Sequence, residues 1–409
     1  MLPSQYLPMN AYRCELAVSW LNYTAEPWEL GGCKQGITLK PPIALAIMRV
    51  LHVIARLNVG GTARYITQLA NELPKLGIET FLATGYVQGA EVEDPSAQSL
   101  DLIRIPALGR SFNPIKDHFA HQQLKKIIQE IKPDIIHSHT FKAGYVVRMK
   151  KQPVPVIHTF HGHLLADPEF SGFKSRVIVE VERILAKRSN KLVTVGQRVS
   201  EELLEQRIGN KDQYINIPPG VIALNVTPKE QALKNLNLSD NGKPIVGWIA
   251  RVTGVKNPML ALEVADAIPD TRFVIAGGGD LLEKVKAAAP SNVTVVGWAK
   301  AEDVFGASEI ILSTSENEGM PVALIEAQLA GKPVVATDVG SVSEVVLNHE
   351  TGIVTDKNAG SIALALKTLL LDKQKRREMG SLATSRANAL FSVDQMINAH
   401  IALYKSIVK

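Results

Sequence analysis

The sequence predicts an α/β protein built of two doubly wound, Rossmann-like domains that face each other across a cleft. From residue 48 onward, short apolar segments alternate with amphipathic segments, as parallel strands alternate with helices in such domains. A proline-rich stretch at 217–228 interrupts this alternation, and a second series of the same kind follows it. The chain of 409 residues is long enough for two domains of ordinary size.

Residues 1–47 are expected to lie outside both domains. Their prolines and aromatic residues show no helix or strand periodicity, and they contain both cysteines, Cys14 and Cys33. The segment also lacks the pattern of a signal peptide with a small-residue cleavage site. Because an apolar segment begins abruptly at Met48, we interpret Met48 as the natural start. Residues 1–47 are then a disordered extension or the result of a wrongly assigned start.

The N-terminal domain is assigned to residues 48–227. A glycine turn at Gly60 and Gly61 follows its first strand and opens a helix that runs from Ala63 toward Lys75. Strands are predicted at residues 50–54, 79–84, 134–139, 154–160 and 191–196, and further helices at 120–131 and 175–188.

The C-terminal domain is assigned to residues 228–391. Its strands are predicted at residues 244–250, 272–276, 293–296, 310–313 and 334–337, with helices at 259–267 and 281–289. Residues 392–409 form an amphipathic pattern that predicts a last helix, which we expect to pack back on the N-terminal domain. Ligands of such sheets bind beyond the carboxyl ends of the strands, so the cleft between the domains is the expected site.

The composition is that of a globular protein rather than a membrane-spanning or disulfide-rich one. Hydrophobic residues make up 46% of the chain and charged residues 21%, and no apolar run reaches the length that crosses a bilayer. Because the chain has no cysteine after residue 47, a disulfide framework and thiolate metal sites are excluded there.

The charge is distributed unevenly between the two predicted domains. Residues 48–227 carry 23 lysines and arginines against 17 aspartates and glutamates, whereas residues 228–409 carry 19 against 20. A basic first half suggests an anionic partner, and we favour a membrane surface over an imbalance without a partner. We therefore expect a cytoplasmic protein, peripheral on the inner face of the plasma membrane, with no nucleic-acid partner.

Two segments of the first half mix basic and aromatic residues in a way that suits docking on anionic lipid. The alternative is that the aromatic residues belong to the core and the basic residues are merely solvated. The basic residues are Lys142, Arg148, Lys150, Lys151, Lys174, Arg176, Arg183, Lys187 and Arg188, and the aromatic residues are Phe141, Tyr145, Phe170 and Phe173.

The stretch 310–331 is the strongest candidate for a binding site. An apolar strand leads through a glycine-containing turn to a helix that has Pro321 in its first turn and ends at Gly331. The free N–H groups and positive dipole end of such a helix favour a phosphate. Two carboxylates, Glu318 in the turn and Glu326 in an apolar stretch of the helix, are suited to accept hydrogen bonds from sugar hydroxyls.

Basic and glycine-rich loops follow other strands of the second half. Arg251 and Lys256 lie in one loop after a strand, from which both cations can reach one diphosphate. Glycines at the ends of strands, Gly61 in the first half and Gly278 in the second, allow the backbone to approach a ligand closely. Neither glycine group matches a dinucleotide or Walker motif, so NAD binding and ATP hydrolysis are disfavoured.

Three histidines, His158, His161 and His163, lie at the end of a predicted strand. We favour a histidine that binds a sugar hydroxyl in the cleft over a metal ligand, because no cysteine or neighbouring carboxylate completes a ligand set. A purely structural histidine is the third alternative.

Together these residues resemble the motifs of a family-4 retaining glycosyltransferase of the GT-B fold, from Met48 to nearly the end of the chain. Gly60 and Gly61 resemble the family's N-terminal glycine turn. Arg251 and Lys256 resemble its diphosphate-binding pair. Glu318 and Glu326 resemble its paired glutamates. The first 47 residues depart from the family pattern.

The resemblance implies a role for each of these residues. It places Gly61 and the 319–322 segment of Gly319, Met320, Pro321 and Val322 near the donor phosphates, with Gly278 also at the donor. It places His161 and Glu318 at the transferred hexose, Glu326 at the ribose hydroxyls, and Val296 and Trp298 at the nucleobase.

The reaction implied is transfer of a hexose, with retention of configuration, from a nucleoside-diphosphate sugar to a glycan or lipid-linked acceptor. Cell-surface polysaccharide or glycolipid synthesis in a bacterium is the expected setting, and UDP the expected carrier. The nucleotide sugar is a substrate, and no cofactor is expected. No metal is expected either, because the sequence has no Asp-x-Asp pair, and Arg251 and Lys256 supply the charge instead. A nucleotide-sugar 2-epimerase on the same fold and a non-catalytic sugar-binding relative are the alternatives.

Overall fold

The structure is a computed structural model that describes residues 48–88, 91–109, 111–162 and 173–408. The predictions for residues 1–47, and for His163 and Phe170, fall outside the described residues, as does the side chain of Phe173.

The first half of the described chain forms a seven-stranded sheet in the order β3-β2-β1-β4-β5-β6-β7, in which every strand pair is parallel. The strands are β1 (Met48–Ile54), β2 (Ile78–Thr84), β3 (Leu102–Arg104), β4 (Ile135–His139), β5 (Val156–Phe160), β6 (Lys191–Thr194) and β7 (Tyr214–Asn216). The helices are α1 (Gly61–Glu72), α2 (Pro114–Ile131), α3 (Thr140–Arg148), α4 (Phe173–Ala186) and α5 (Gln197–Glu205).

The second half forms a six-stranded parallel sheet in the order β10-β9-β8-β11-β12-β13. The strands are β8 (Ile245–Ile249), β9 (Arg272–Ala276), β10 (Val293–Gly297), β11 (Ile310–Ser313), β12 (Val334–Thr337) and β13 (Gly352–Thr355). The helices are α6 (Lys229–Asn235), α7 (Pro258–Asp266), α8 (Leu282–Ala288), α9 (Ala301–Ala307), α10 (Val322–Leu329), α11 (Val342–Val345), α12 (Ala359–Leu371), α13 (Lys373–Leu390) and α14 (Val393–Ile407).

The two sheets confirm the predicted fold class of two Rossmann-like domains. Each sheet reverses its strand order once, between β1 and β4 in the first and between β8 and β11 in the second. Loops that leave neighbouring strands at such a point diverge to opposite faces of the sheet and leave a crevice at the carboxyl ends. The loops after β1, β4, β8 and β11 are therefore positioned to form binding sites.

The chain passes between the halves twice, and the two crossings are in contact. The N–H of Val221, in the proline-rich segment, donates to the carbonyl of Phe391, just after α13, at 2.7 Å. A side chain at Gly220 would place its Cβ 2.6 Å from the Cα of Val393, so only glycine allows this approach. Helix α14 then packs on the first half, where the hydroxyl of Tyr404 lies 2.8 Å from Nδ1 of His137.

The surface predicted to dock on a membrane is partly interior. Arg148 and its partner Glu182 on α4 are both fully buried, with Nη2 of the arginine 2.9 Å from Oε1 of the glutamate. Lys142 is buried against Asp117 of α2. Neither cation can contact a lipid headgroup, because each is held by a carboxylate on another helix. None of the helices in the described ranges is long and apolar enough to cross a bilayer.

Candidate active site

A cavity of about 1480 Å³ lies between the two halves, at the carboxyl ends of both sheets. Its volume exceeds the range of about 300–1,000 Å³ that is typical for one small ligand, so it has room for two substrates. The predicted site residues that line it are Gly61, His161, Arg251, Lys256, Trp298, Glu318, Gly319, Met320, Pro321, Val322 and Glu326. The fold therefore gathers most of the predicted site in one place.

The glycine turn before α1 faces the beginning of α10 across the cavity. Gly60 has a φ of 150°, in the region that favours glycine. A Cβ atom on Gly61 would lie 3.1 Å from Cγ2 of Val322, at the first position of α10. The N-terminal ends of two helices therefore open on the same cavity, an arrangement that favours an anion. Pro321 precedes α10 as its N-cap and is not in its first turn as predicted.

Glu318 is held by two donors of its own half. Its Oε1 accepts hydrogen bonds from Nζ of Lys256 at 2.5 Å and from Oγ of Ser315 at 2.6 Å. The loop that carries the lysine is fixed beside it, because the N–H of Glu316 donates to the carbonyl of Val255 at 2.8 Å. The predicted carboxylate Glu318 and the predicted cation Lys256 are thus in direct contact.

Glu326 contacts Arg64, which lies on the other side of the cleft and was not among the predicted site residues. The glutamate is 8% exposed, and its Oε1 accepts a hydrogen bond from Nη1 of Arg64 on α1 at 2.6 Å. Burial raises the pKa of Glu326, and the nearby Arg64 opposes that shift. The sequence offered one signal for Arg64, a cation in the second turn of α1, close to the helix end where the dipole disfavours positive charge.

Arg251 lies on an exposed loop that faces the cavity. The N–H of Val252 donates to the carbonyl of Gly278 at 2.9 Å, and the N–H of Lys256 donates to the carbonyl of Thr253 at 3.1 Å. These bonds fix the backbone of the loop between the two predicted cations.

Two residues predicted to bind the donor do not line the cavity. Gly278 lies beneath Trp298, since a Cβ atom on the glycine would be 2.3 Å from the indole Nε1. Val296 is partly buried and packs against the core formed around α6, β9 and α9. Gly278 thus makes room for the tryptophan, and of these three residues only Trp298 is exposed to a ligand.

The loop of Glu318 contacts the loop of His161. A Cβ atom on Gly319 would lie 2.5 Å from the Cα of Gly162 and 2.7 Å from the carbonyl oxygen of His161. The histidine predicted at the sugar and the glutamate predicted at the sugar therefore belong to adjoining loops.

Behind His161, four further histidines and two tyrosines form a buried array. In β4 the side chains of His137 and His139 lie on one face of the sheet, because residues two apart in a strand point the same way. Helices α1 and α14 cover this face with Tyr65, His400 and Tyr404. Thr140, which follows His139 and lines the cavity, has a left-handed φ of 63°. That conformation is strained for a β-branched residue, and such strain clusters at functional sites.

Burial lowers the pKa of His52 and of His161 to about 3, and that of His400 to about 4. Burial also lowers the pKa of His137 and His139 well below the usual value. The array is therefore neutral at pH 7. One ring nitrogen from each of His52, His137 and His139 lies within 4.8 Å of the others, a spacing that could hold a metal ion.

The fold is the GT-B fold of glycosyltransferases. Sucrose-phosphate synthase from Thermosynechococcus elongatus superimposes with a TM-score of 0.75 at 20% identity, covering 88% of this chain and 98% of that one. HepE of Anabaena, solved in complex with UDP and glucose, superimposes with a TM-score of 0.73 at 18% identity, covering 88% of this chain and 100% of HepE. At these identities the likeness shows the fold.

The chain belongs to glycosyltransferase family 4, which confirms the predicted family. The family model described as Glycosyltransferase Family 4 matches residues 59–222, and the one described as Glycosyl transferases group 1 matches residues 229–386. The UDP-Gal:alpha-D-GlcNAc-diphosphoundecaprenol alpha-1,3-galactosyltransferase of Escherichia coli is 26% identical over 76% of this chain and 84% of its own length. The D-inositol 3-phosphate glycosyltransferase of Nocardia farcinica is 26% identical over 81% of each.

Proposed function

We propose that the protein is a retaining hexosyltransferase that uses a UDP-sugar donor and needs no metal ion. The observation that carries the proposal is that Lys256, Glu318 and Glu326 line the same cavity as the N-terminal end of α10, with Lys256 in contact with Glu318. A cation and free N–H groups suit a diphosphate, and carboxylates beside them suit sugar hydroxyls. HepE, which shares the fold, was solved in complex with UDP, which supports the choice of nucleotide.

In the proposed complex, the diphosphate lies between the N-terminal end of α10 and the loop of Arg251 and Lys256. Lys256 exchanges its contact with Glu318 for a phosphate oxygen, which leaves that carboxylate free to accept hydrogen bonds from the hexose. Glu326 exchanges its contact with Arg64 for the ribose hydroxyls. Arg251 and Lys256 then face the charge that develops on the leaving diphosphate, where electrostatic stabilisation of the transition state is most effective.

Retention follows from a front-face reaction. The bond between the anomeric carbon and the diphosphate oxygen breaks through an oxocarbenium-like state, and the acceptor hydroxyl attacks from the same face. The leaving phosphate oxygen takes the proton of that hydroxyl.

A thermal-shift panel of UDP, ADP and GDP tests the donor site. A ligand at 100 times its dissociation constant stabilises the folded state by about 2.7 kcal/mol, so UDP is expected to raise the melting temperature clearly. No shift with any nucleoside diphosphate contradicts the proposal. In transfer assays with UDP-sugars, activity is expected to persist in chelator, and strict dependence on added magnesium contradicts the metal-free account.

The proposed acceptor is lipid-linked and reaches the cleft from an anionic membrane surface. The Escherichia coli relative is named for an acceptor on diphosphoundecaprenol. In this chain, Phe112 lines the cleft, and Ile115 and Phe119 on the adjoining helix α2 are 71% and 58% exposed. Lys116 and Lys125 lie on the exposed surface of the same helix. Apolar residues beside lysines on one helix surface are typical of a helix that lies in a membrane interface.

Vesicle flotation tests this docking surface. Binding is expected to rise with the fraction of anionic lipid and fall with salt, and to be lost in the double variant Ile115→Asp and Phe119→Asp. Leu371→Asp is the matched control, because Leu371 is 89% exposed on the second half of the protein. Equal flotation of the double variant and the wild type refutes this surface.

A further inference from the structure

A chain of hydrogen bonds connects His161 in the cleft to the protein interior. Nε2 of His161 lies 3.1 Å from Nδ1 of His139, and Nε2 of His139 lies 2.9 Å from Nδ1 of His52. His52 and His139 are fully buried at the centre of the first sheet, where β1 and β4 are neighbours. Three imidazoles thus form one continuous path from the core of the first half to the cleft.

Each of the two contacts joins a pair of ring nitrogens, so one nitrogen of each pair carries the proton and the other accepts it. A neutral imidazole carries one N–H donor and one acceptor nitrogen. Both ring nitrogens of His139 take part in this chain of hydrogen bonds. His139 therefore either donates to His161 and accepts from His52, or the reverse. The tautomers of the three histidines are therefore coupled, and two arrangements are open to them.

The inner end of the chain distinguishes the two arrangements. Among the described residues, the buried Nε2 of His52 has no hydrogen-bond partner. In one arrangement this nitrogen carries an unpaired proton, and in the other it carries only a lone pair. Buried N–H groups without a partner are rarer in proteins than buried acceptors without one. The arrangement in which His52 donates to His139, and His139 donates to His161, is therefore favoured.

This arrangement fixes the chemistry of His161 at the cleft. Its Nε2 accepts from His139, so its proton resides on Nδ1, for which no partner is found among the described residues. His161 lines the cavity beside Gly319, at the loop of Glu318. A neutral ring in this state carries a hydrogen-bond donor on Nδ1 and no positive charge.

We propose that His139 and His52 are positioning residues, which hold His161 as its Nδ1–H tautomer so that it donates a hydrogen bond to an oxygen of the donor sugar. This inference rests on the proposed function, because it needs a sugar in the cleft. The neighbouring His137 has a different role, since its nitrogens contact Tyr404 at 2.8 Å and Thr159 at 2.7 Å rather than His161.

The tautomer is read directly from the side-chain ¹⁵N–¹H correlation spectrum of full-length protein labelled with [¹⁵N]histidine. The signals of His161 are assigned from their loss in His161→Asn. The proposal expects a protonated Nδ1 and an unprotonated Nε2 between pH 6 and 8. A proton on Nε2 of His161 in the wild-type protein overturns it, and this readout needs no substrate.

Two substitutions of His139 separate positioning from packing. Asparagine places its side-chain N–H close to the position of the histidine Nδ1 and can still donate to His161, whereas leucine cannot. His139→Leu is expected to lower kcat about tenfold, which is the loss of one hydrogen bond of about 1.4 kcal/mol, with the donor KM within twofold. His139→Asn is expected to keep kcat within about threefold and to retain the Nδ1–H signal.

The control is His158→Asn. His158 is a fully buried histidine whose Nδ1 is hydrogen-bonded to Oγ of Ser138 at 2.9 Å, and it is not part of the hydrogen-bond chain that ends at His161. Its replacement is expected to leave both the tautomer of His161 and kcat unchanged. Wild-type kcat in His139→Leu, or equal losses in His139→Asn and His139→Leu, overturns the inference. If the wild-type protein neither binds UDP nor transfers sugar, the proposed function fails instead, whatever the spectrum shows.

Discussion

The buried histidines predict that the protein loses stability sharply below pH 6.5. Besides His121, six histidines have a pKa lowered by burial, and in the unfolded chain each returns to about 6.5. The six are His52, His137, His139, His158, His161 and His400. Between the two pKa values the unfolded state binds a proton that the folded state does not. The free energy of unfolding therefore has its full value above pH 6.5 and declines as the pH falls toward the pKa values of the folded state.

The size of the effect follows from linkage. Each group contributes up to 1.36 kcal/mol per pH unit, so between pH 7 and pH 5.5 each histidine costs about 1 kcal/mol. The six together cost about 6 kcal/mol, a large part of the 5–15 kcal/mol that stabilises an ordinary protein.

Urea unfolding followed by circular dichroism measures this dependence. The midpoint is expected to fall steeply between pH 7 and pH 5.5, and His400→Gln is expected to make the decline shallower by about one proton. His118→Gln serves as the control, because His118 is exposed. A midpoint that does not change over this range refutes the assignment of these rings as buried neutral groups.

Four substitutions test other parts of the structure. Lys256→Ala, like Arg251→Ala, is expected to lower turnover more than the affinity for UDP, because these two cations act on charge that builds as the sugar leaves. Equal losses in steady-state kinetics and calorimetry contradict that role. Gly319→Ala is expected to reduce kcat at least tenfold without lowering the melting temperature by more than a few degrees, since its Cβ atom would force the loops of the two halves apart. Glu182→Gln is expected to cost about 3 kcal/mol in urea unfolding, because it leaves a fully buried arginine without a counter-charge; a loss below about 1 kcal/mol contradicts this pairing.

The sequence located the buried strands well because such strands are continuous apolar runs. The predicted strands at 310–313 and 334–337 coincide with β11 and β12. The strands that were not predicted include β3, β7 and β13, which lie at the edges of the sheets and have only three or four residues. Short edge strands bury little side chain, so their sequences carry no strong periodic signal.

The pairing of charges could not be predicted, because partners are distant in sequence. Arg64 and Glu326 are 262 positions apart, and Arg148 and Glu182 are on different helices. Arg148 was therefore interpreted as a surface cation, although it is fully buried. The histidine array did have a local signal, since His137 and His139 alternate within one strand. Their contact with His52 depends on the register between β1 and β4, which only the structure supplies.

The central claim is that the cleft binds a UDP-sugar through carboxylates at the end of β11 and on α10, and calorimetric titration of UDP tests it most directly. Wild-type protein is expected to bind UDP, and Glu326→Gln to bind about 10- to 150-fold more weakly, through the loss of charge-assisted bonds of about 1.5–3 kcal/mol. Glu316→Gln is the matched control, because Glu316 is in the same loop as Glu318 but contacts Lys357 at 2.7 Å and does not line the cavity. Equal affinity in Glu326→Gln and the wild type, or no binding of UDP at all, contradicts the account.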